Sequence, residues 1–251
     1  MIPFSTFVRV YLRSFFIQGS FSIKFRQNVG FAFCMDPVGK VLWTENEDRR
    51  AFLNRHLEYY NGNPFMITLV LGAIAGLEEH YKNDDGITER DINGFKRAVG
   101  AATGSVGDRI FWSTLRPLSV IIGLLAASLY GLWGAATVLV LFNVPNLILR
   151  WYWLKKGYHL GTGVVTEIQN KNIDSAVGLL ETAKTLIAAF LVSSLVLMNT
   201  GRIDSVSAAA TAVFAVSLYL FRKGMSVSVV FLSSLLLSVM AGLLFVQIIY
   251  Y

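Results

Sequence analysis

Between Gly104 and Pro117 the sequence reads GSVGDRIFWSTLRP, and this stretch separates a mostly polar N-terminal half from a strongly apolar C-terminal half. Glycine tolerates tight or left-handed backbone, so Gly104 and Gly107 predict a turn with Asp108 at its mouth or at the start of the next helix. A carboxylate there accepts free backbone N–H groups. Asp108 and Trp112 therefore indicate either a helix cap beside an interfacial aromatic residue or a polar ligand site where membrane meets water.

Composition identifies the class of protein. Hydrophobic residues make up 54% of the chain and charged residues 15%, against about 25% charged in a soluble domain. The formal charge of +6 needs no nucleic acid, because cytoplasmic loops of membrane proteins are rich in Lys and Arg. The single Cys34 excludes an internal disulfide and a cysteine-based metal cage. We therefore predict an all-α integral membrane protein with no cofactor.

Residues 1–30 predict an amphipathic helix that lies in the membrane interface without crossing it. Large apolar side chains recur at helical spacing, while Arg9 and Arg13 lie off that stripe. The members of the stripe are Phe4, Phe7, Val8, Tyr11, Leu12, Phe15 and Phe16.

Residues 31–117 predict broken or re-entrant membrane segments with cytoplasmic helices between them. The apolar run Gly30–Trp43 contains Pro37 and is not expected to form one long helix. The run Phe65–Leu77 would be about 20 Å long as a helix, against about 30 Å of hydrocarbon. We expect it to turn back or to be half of a broken helix, which is the pattern that marks the binding sites of transporters.

Two helix starts are predicted in the polar half. Thr44 and Glu47 match a capping box, and Thr88 is expected to cap a short helix. His56 has no second ligand at metal spacing and is expected to be structural.

The C-terminal half predicts five crossings. Residues 118–175 comprise a transmembrane hairpin, with arms Leu118–Tyr130 and Leu132–Leu149, and a cytoplasmic connection. Residues 176–251 form a three-helix transmembrane region, and Lys and Arg in the loops place the N-terminus inside and the C-terminus outside. The three further spans are Val177–Asn199, Ser205–Phe221 and Met225–Tyr251.

Several blocks in one order resemble the IID membrane component of mannose/fructose/sorbose-family sugar phosphotransferase systems. GSVGDRIFWSTLRP resembles the GDxIFWGTxRP signature of that family, and HLEYYNGNPF resembles its HLEFFNTxP signature. The other similar blocks are LRSFFIQGSFS, GFAFCMDP, LGAIAGLEE and RWYWLKKGYHLG.

The resemblance implies a multi-pass subunit in the bacterial cytoplasmic membrane that pairs with a IIC subunit and moves a hexose inward. The cytoplasmic IIA and IIB proteins phosphorylate the sugar, so the chain itself is expected not to be an enzyme. We expect the sugar path to be lined by amides, carboxylates and one flat aromatic ring, because these groups pair with sugar hydroxyls and cover a sugar face. The predicted lining residues are Asn61, Asn63, Glu78, Asp108 and Trp112.

Two other classes of function stay open from the residues. One is a membrane enzyme with Asp108, Glu78 and Glu79 as acid and base, although the sequence shows no activated nucleophile beside them. The other is a transport-inactive adaptor that docks phosphotransferase proteins. Arg109, which stands where proline or a small residue is commoner in the family, and the shortened C-terminal half are consistent with the adaptor.

Overall fold

The structure is a computed structural model that describes residues 1–169, 174–185, 187–188 and 205–225, and the single positions 229, 233 and 236. Its named elements are all helices, and the only β-pairing in this part of the chain is two isolated bridges. Within residues 1–169 the α-helices are α1 Phe4–Arg13, α2 Asn28–Leu42, α3 Asn46–His56, α4 Ile67–Lys82, α5 Glu89–Gly107, α6 Arg116–Tyr130, α7 Trp133–Leu160 and α8 Val164–Ile168, and residues 174–185 are helical as well.

Three helices of other types lie between the α-helices. A 3-10 helix, Ser14–Phe16, follows α1, and another, Gly161–Gly163, follows α7. A π-helix, Asp108–Leu115, joins α5 to α6. The chain divides into two compact units, Met1–Thr182 and Ala183–Tyr251, and helix Ser205–Arg222 lies in the second.

The core of the first unit forms where α4 crosses α7. Every residue of α4 from Ile67 to Glu78 is buried. A Cβ atom at Gly72 would overlap the carbonyl oxygen of Leu154, and one at Gly157 would overlap that of Leu69. The two backbones therefore touch directly, and glycine is required on both sides of the crossing.

Two helical stretches are long and apolar enough to cross a membrane within the described residues: Glu89–Tyr130, of 42 residues, and Trp133–Ile168, of 36. They meet in a sharp turn at Gly131, whose φ of +59° is readily adopted only by glycine. α6 and α7 thus form a helical hairpin where one was predicted, and its crossing of the membrane stays a prediction. Its arms expose many large apolar side chains, among them Leu124, Leu129, Leu139 and Ile148.

The amphipathic helix is also present as α1. The Phe7 and Val10 side chains of α1 are buried, whereas those of Phe4 and Leu12, and of Phe15 just after the helix, are exposed. Its aromatic side chains pack edge-on against Trp151 of α7, with ring centroids 5.6 Å away for Phe4 and 5.4 Å for Tyr11.

The predicted break at Pro37 is wrong, because α2 runs through it as one helix. Proline lacks an N–H, so the carbonyl four residues earlier, that of Phe33, loses its helical donor. The Arg13 guanidinium donates to this oxygen at 2.8 Å and also to Asp36 at 2.9 Å. A side chain of α1 therefore replaces the bond that proline removes, which no pattern within α2 could indicate.

Three other local predictions are wrong in part. The run Phe65–Leu77 does not turn back, because residues 67–82 form one uninterrupted helix. The N-cap position of α3 is occupied by Glu45, whose side chain makes no capping hydrogen bond, so Thr44 and Glu47 form no capping box. Thr88 does form a capping box, with Asp91, but the helix that it starts is 19 residues long.

The predicted turn at Gly104 and Gly107 is absent. Gly107 has helical backbone angles, and the chain continues directly into the π-helix. In the second unit, helix Ser205–Arg222 matches the predicted span 205–221. Most of the predicted spans 177–199 and 225–251 lies outside the described residues.

Candidate functional site

A polar cavity of about 430 Å³ lies between the loop after α3 and the C-terminal part of α5. Four of the five predicted site residues line it: Asn61, Asn63, Asp108 and Trp112. Glu78 does not. The remaining lining residues are Gln18, Phe21, Gln27, Gly62, Pro64, Gly100, Ala101, Gly104 and Ser105.

Asn63 and Asp108 are joined by a hydrogen bond across this cavity. The Asn63 amide nitrogen, Nδ2, donates to Asp108 Oδ1 at 2.9 Å. The other end of the same side chain, Oδ1, accepts the backbone N–H groups of Phe65 at 2.9 Å and Met66 at 3.3 Å. Asn63 is buried, and the two backbone N–H groups just before α4 fix the orientation of its side-chain amide. The amide in turn orients the exposed Asp108 carboxylate.

Glycines on α5 let the loop lie directly on the helix. A Cβ atom at Gly107 would lie 2.5 Å from Asn63 Cβ, and one at Gly100 would lie 2.9 Å from the Asn61 carbonyl oxygen. Both distances are below the closest approach of a side-chain Cβ carbon to a non-bonded carbon or oxygen atom. Gly100 and, within the motif, Gly107 thus allow the loop to lie close to the helix.

The π-helix carries Asp108 and Trp112 one after the other along the cavity. Such helices are rare and occur often at functional sites. The Trp112 ring stands edge-on to Phe65, with centroids 5.4 Å apart, and the Arg116 guanidinium lies 4.9 Å from its centroid. Because the indole is packed by these two residues and is still 40% exposed, it presents a flat surface of fixed orientation at the cavity.

Gln27 was not among the predicted residues, although it holds the same loop. Its Oε1 accepts the backbone N–H of Gly62 at 3.1 Å, and its own backbone N–H donates to the Tyr60 carbonyl at 2.9 Å. Nothing in the sequence around Gln27 indicates this role, because its partners lie more than thirty positions away.

Glu78 instead belongs to a buried ionic cluster between α3, α4 and α5. The Arg55 guanidinium donates to both of its carboxylate oxygens at 2.8 Å, and His56 Nε2 lies 3.1 Å from Oε1. Arg55 also pairs with Glu89 at 2.5 Å. The prediction that Glu78 converges with the other site residues is wrong, because an arginine and a histidine from α3 cover the polar end of α4 where an open cavity was expected.

The charge states of this cluster follow from its geometry. Burial raises the pKa of the Glu78 carboxyl, but the adjacent His56 and Arg55 outweigh burial and hold the pKa below its ordinary value. Burial lowers the pKa of His56, and Lys96 and Arg55 lower it further against the opposing effect of Glu78. Glu78 is therefore ionised near pH 7, and His56 lies fully buried beside it in the cluster.

Neither the cavity nor the ionic cluster has the groups of a metal centre. Among the described residues, no three His, Cys, Asp or Glu side chains lie close enough together to hold a metal ion. The cavity contains one carboxylate, several amides and an indole, and these groups suit the recognition of a neutral polyhydroxyl molecule.

Two helical stretches of membrane length, which carry many exposed large apolar side chains, are typical of a helical membrane protein. The model of the family described as the IID component of the mannose/fructose/sorbose phosphotransferase system matches residues 2–251. The chain belongs to this family.

Individual relatives agree with that assignment. The mannose-specific IID component of Escherichia coli K12 is 37% identical over 160 residues, which are 63% of this chain and 56% of that protein. The fructose permease IID component of Bacillus subtilis is 30% identical over 187 residues, which are 74% of this chain and 66% of that protein. The match thus spans little more than half the length of the E. coli relative.

A solved structure is similar as well. It is a cryo-EM structure of the mannose transporter ManYZ in complex with microcin E492. One of its chains superimposes with a TM-score of 0.62 at 32% identity, over 77% of this chain and 71% of that one.

The close approach at Gly107 predicts an unusual response to alanine. Alanine in place of glycine normally stabilises a helix by about 0.5–1 kcal/mol. Gly107→Ala should instead lower the melting temperature of the purified chain in detergent, because the new methyl group pushes Asn63 away. Gly94→Ala is the matched control, since nothing lies within 4 Å of a Cβ at that position of α5, and it should raise the melting temperature. A rise in both variants would contradict the packing argument.

The ionic cluster predicts a large loss of stability for Glu78→Gln. Removing one partner of a buried ion pair costs about 3–5 kcal/mol, and here Arg55 would keep only the half-exposed Glu89 as a counter-charge. Glu89→Gln should cost much less, since Glu89 is about half exposed. Because the Glu78 pKa is lower in the folded chain, its contribution is complete above the unfolded-state pKa and disappears as the pH falls through the folded-state value. Thermal unfolding followed by tryptophan fluorescence would measure both effects, and equal losses for the two variants would refute the assignment.

Proposed function

We propose that this chain is the IID subunit of a mannose-family sugar phosphotransferase permease and that it forms, together with a IIC subunit, the path by which a hexose enters the cell. The observation that carries the proposal is the Asn63–Asp108 pair, which joins two family motifs inside one polar cavity. The cavity volume of about 430 Å³ falls within the range of about 300–1,000 Å³ that is typical of small-molecule sites.

The lining groups match the chemistry of a sugar. Asp108 uses Oδ1 to accept the Asn63 amide, which leaves Oδ2 to accept a sugar hydroxyl. Asn61 supplies a further amide, and Trp112 offers an apolar face to the C–H side of the pyranose ring. Glu78 has no place in this arrangement, because Arg55 occupies both of its oxygens.

Transport and phosphorylation are divided between subunits in this proposal. The cytoplasmic IIA and IIB proteins carry the phosphoryl group to the sugar, and the chain provides no catalytic residue. It resides in the bacterial cytoplasmic membrane with IIC. The exposed apolar side chains of α6 and α7 support this location, because such a surface is stable against lipid or a partner helix.

Substitution of Asp108 tests the proposed path. Asp108→Asn keeps the size of the side chain and one accepting oxygen but removes the charge, so it should reduce phosphoenolpyruvate-dependent uptake of labelled hexose at least about tenfold, a difference of about 1.4 kcal/mol. Asn63→Ala should also reduce uptake, because Asp108 loses its orienting partner. Both are compared with the wild-type chain co-produced with a IIC subunit, at equal amounts of complex in the membrane.

Asp84→Asn is the control, since it makes the same change of charge in an exposed loop. Wild-type uptake in both Asp108→Asn and Asn63→Ala would contradict the site. A wild-type complex that assembles, binds phosphotransferase proteins and takes up no hexose would favour the adaptor.

We further propose a multi-pass topology with five crossings and α1 in the interface. The N-terminus lies in the cytoplasm and the C-terminus outside, because Lys and Arg concentrate in the loops assigned to the cytoplasm. The exposed Phe4 and Leu12 of α1 and Phe15 of the 3-10 helix that follows it support the interfacial position. Reporter fusions after Lys24 and after Arg222 should both report the cytoplasm, and a fusion after Tyr251 should report the outer side. The same side at Arg222 and Tyr251 would exclude this topology.

A further inference from the structure

Arg150 of α7 is a buried cation that the proposed function has not used. Its side chain is 3% exposed, and no carboxylate of the described residues lies within ion-pairing distance of it. Its Nε has no hydrogen-bond partner in the described part of the chain, and the Phe15 ring lies 4.5 Å from the guanidinium carbon. Burying a charge without a counter-charge is costly, so the hydrogen bonds that Arg150 makes must offset the cost of its burial.

The two terminal nitrogens of Arg150 reach two separate segments. One donates to the Ser14 hydroxyl at 2.8 Å, and Ser14 in turn donates to the Tyr11 carbonyl at 2.6 Å. The other donates to the Pro64 carbonyl at 2.7 Å. Ser14 lies at the end of α1, and Pro64 lines the polar cavity directly after Asn63.

We propose that Arg150 is a positioning residue for the sugar path. Its guanidinium links Ser14, at the end of α1, to the cavity wall at Pro64, and we call this pair of hydrogen bonds the clasp. The inference rests on the proposed function. Through Pro64 the guanidinium holds the adjacent Asn63, whose amide orients Asp108. Because the same guanidinium holds Ser14, a displacement of α1 on the membrane or against a partner subunit moves the loop that shapes the cavity.

The choice of arginine follows from the two bonds. A guanidinium is planar and presents N–H groups in a fixed fork, so it can donate to two acceptors that lie in different directions. A lysine ammonium is a single point at the end of a flexible stem. Arg150→Lys therefore keeps the buried charge while it loses the simultaneous contact with Ser14 and Pro64.

The first test separates positioning from folding through the dependence of uptake on hexose concentration. For Arg150→Lys in the assembled IIC–IID complex, we expect KM to rise about fivefold or more, since one hydrogen bond contributes a factor of about 2–10. Ser14→Ala removes one of the two acceptors and should raise KM about two- to threefold. Arg90→Lys is the matched control, because Arg90 is exposed at the start of α5, and its KM should be unchanged.

A second measurement does not depend on transport. Asn61→Cys places a thiol in the same loop at the cavity, and the one native cysteine, Cys34, is buried. Maleimide should label Asn61→Cys several-fold faster in the Arg150→Lys background than in the Arg90→Lys background, because the loop is no longer held.

The outcomes are distinct. An unchanged KM together with an unchanged labelling rate in Arg150→Lys refutes the clasp, as does a loss of assembled complex with normal KM in what remains. If the wild-type complex takes up no hexose while labelling still accelerates, the proposed function fails and the clasp stands.

Discussion

The fold depends on a direct backbone contact between α4 and α7. Gly72 and Gly157 face each other across the crossing, and a side chain at either position would collide with a main-chain carbonyl. Without this approach α4 could not be enclosed, and a 16-residue helix that is apolar for most of its length would be left without cover. Because α7 is held against α4, Arg150 reaches the Pro64 carbonyl just before α4 begins. The position of the cavity wall therefore follows from the core.

Close packing against glycine also shapes the cavity. The loop that contains Asn61 and Asn63 lies on α5 at Gly100 and Gly107, where only hydrogen occupies the space of a Cβ. This contact brings residues more than forty positions apart into one hydrogen bond, between Asn63 and Asp108. The signature motif thus supplies both the close packing at Gly107 and the exposed carboxylate of Asp108. The π-helix that follows keeps Asp108 and Trp112 on the same cavity.

Glu78 and Asp108 have different roles, which depend on the side chains that surround each carboxylate. Glu78 and Asp108 both stand in family motifs at the edge of an apolar segment. Arg55 reaches both oxygens of Glu78 in the interior, which makes that carboxylate a structural counter-charge. Asp108 has a neutral amide as its hydrogen-bond partner and an open cavity beside it, so it can still accept from a ligand. Residue type alone does not distinguish the two, because the difference lies in which side chains of α3 and of the preceding loop reach them.

The sequence by itself determined the class of the protein, its helical hairpin, the amphipathic α1 and the family, because these depend on composition, local periodicity and contiguous motifs. It also indicated that Asn61, Asn63, Asp108 and Trp112 lie together, as they do around one cavity, since two motifs border short apolar segments. Only the tertiary structure decided that α2 runs through Pro37, that the glycines before Asp108 serve close packing, and that Glu78 belongs to an ion cluster. Each of these depends on a partner distant in sequence: Arg13 for the Phe33 carbonyl, the 61–63 loop for Gly107 and Arg55 for Glu78. A local pattern records what a segment can form alone, whereas such partners are defined only when the whole chain is packed.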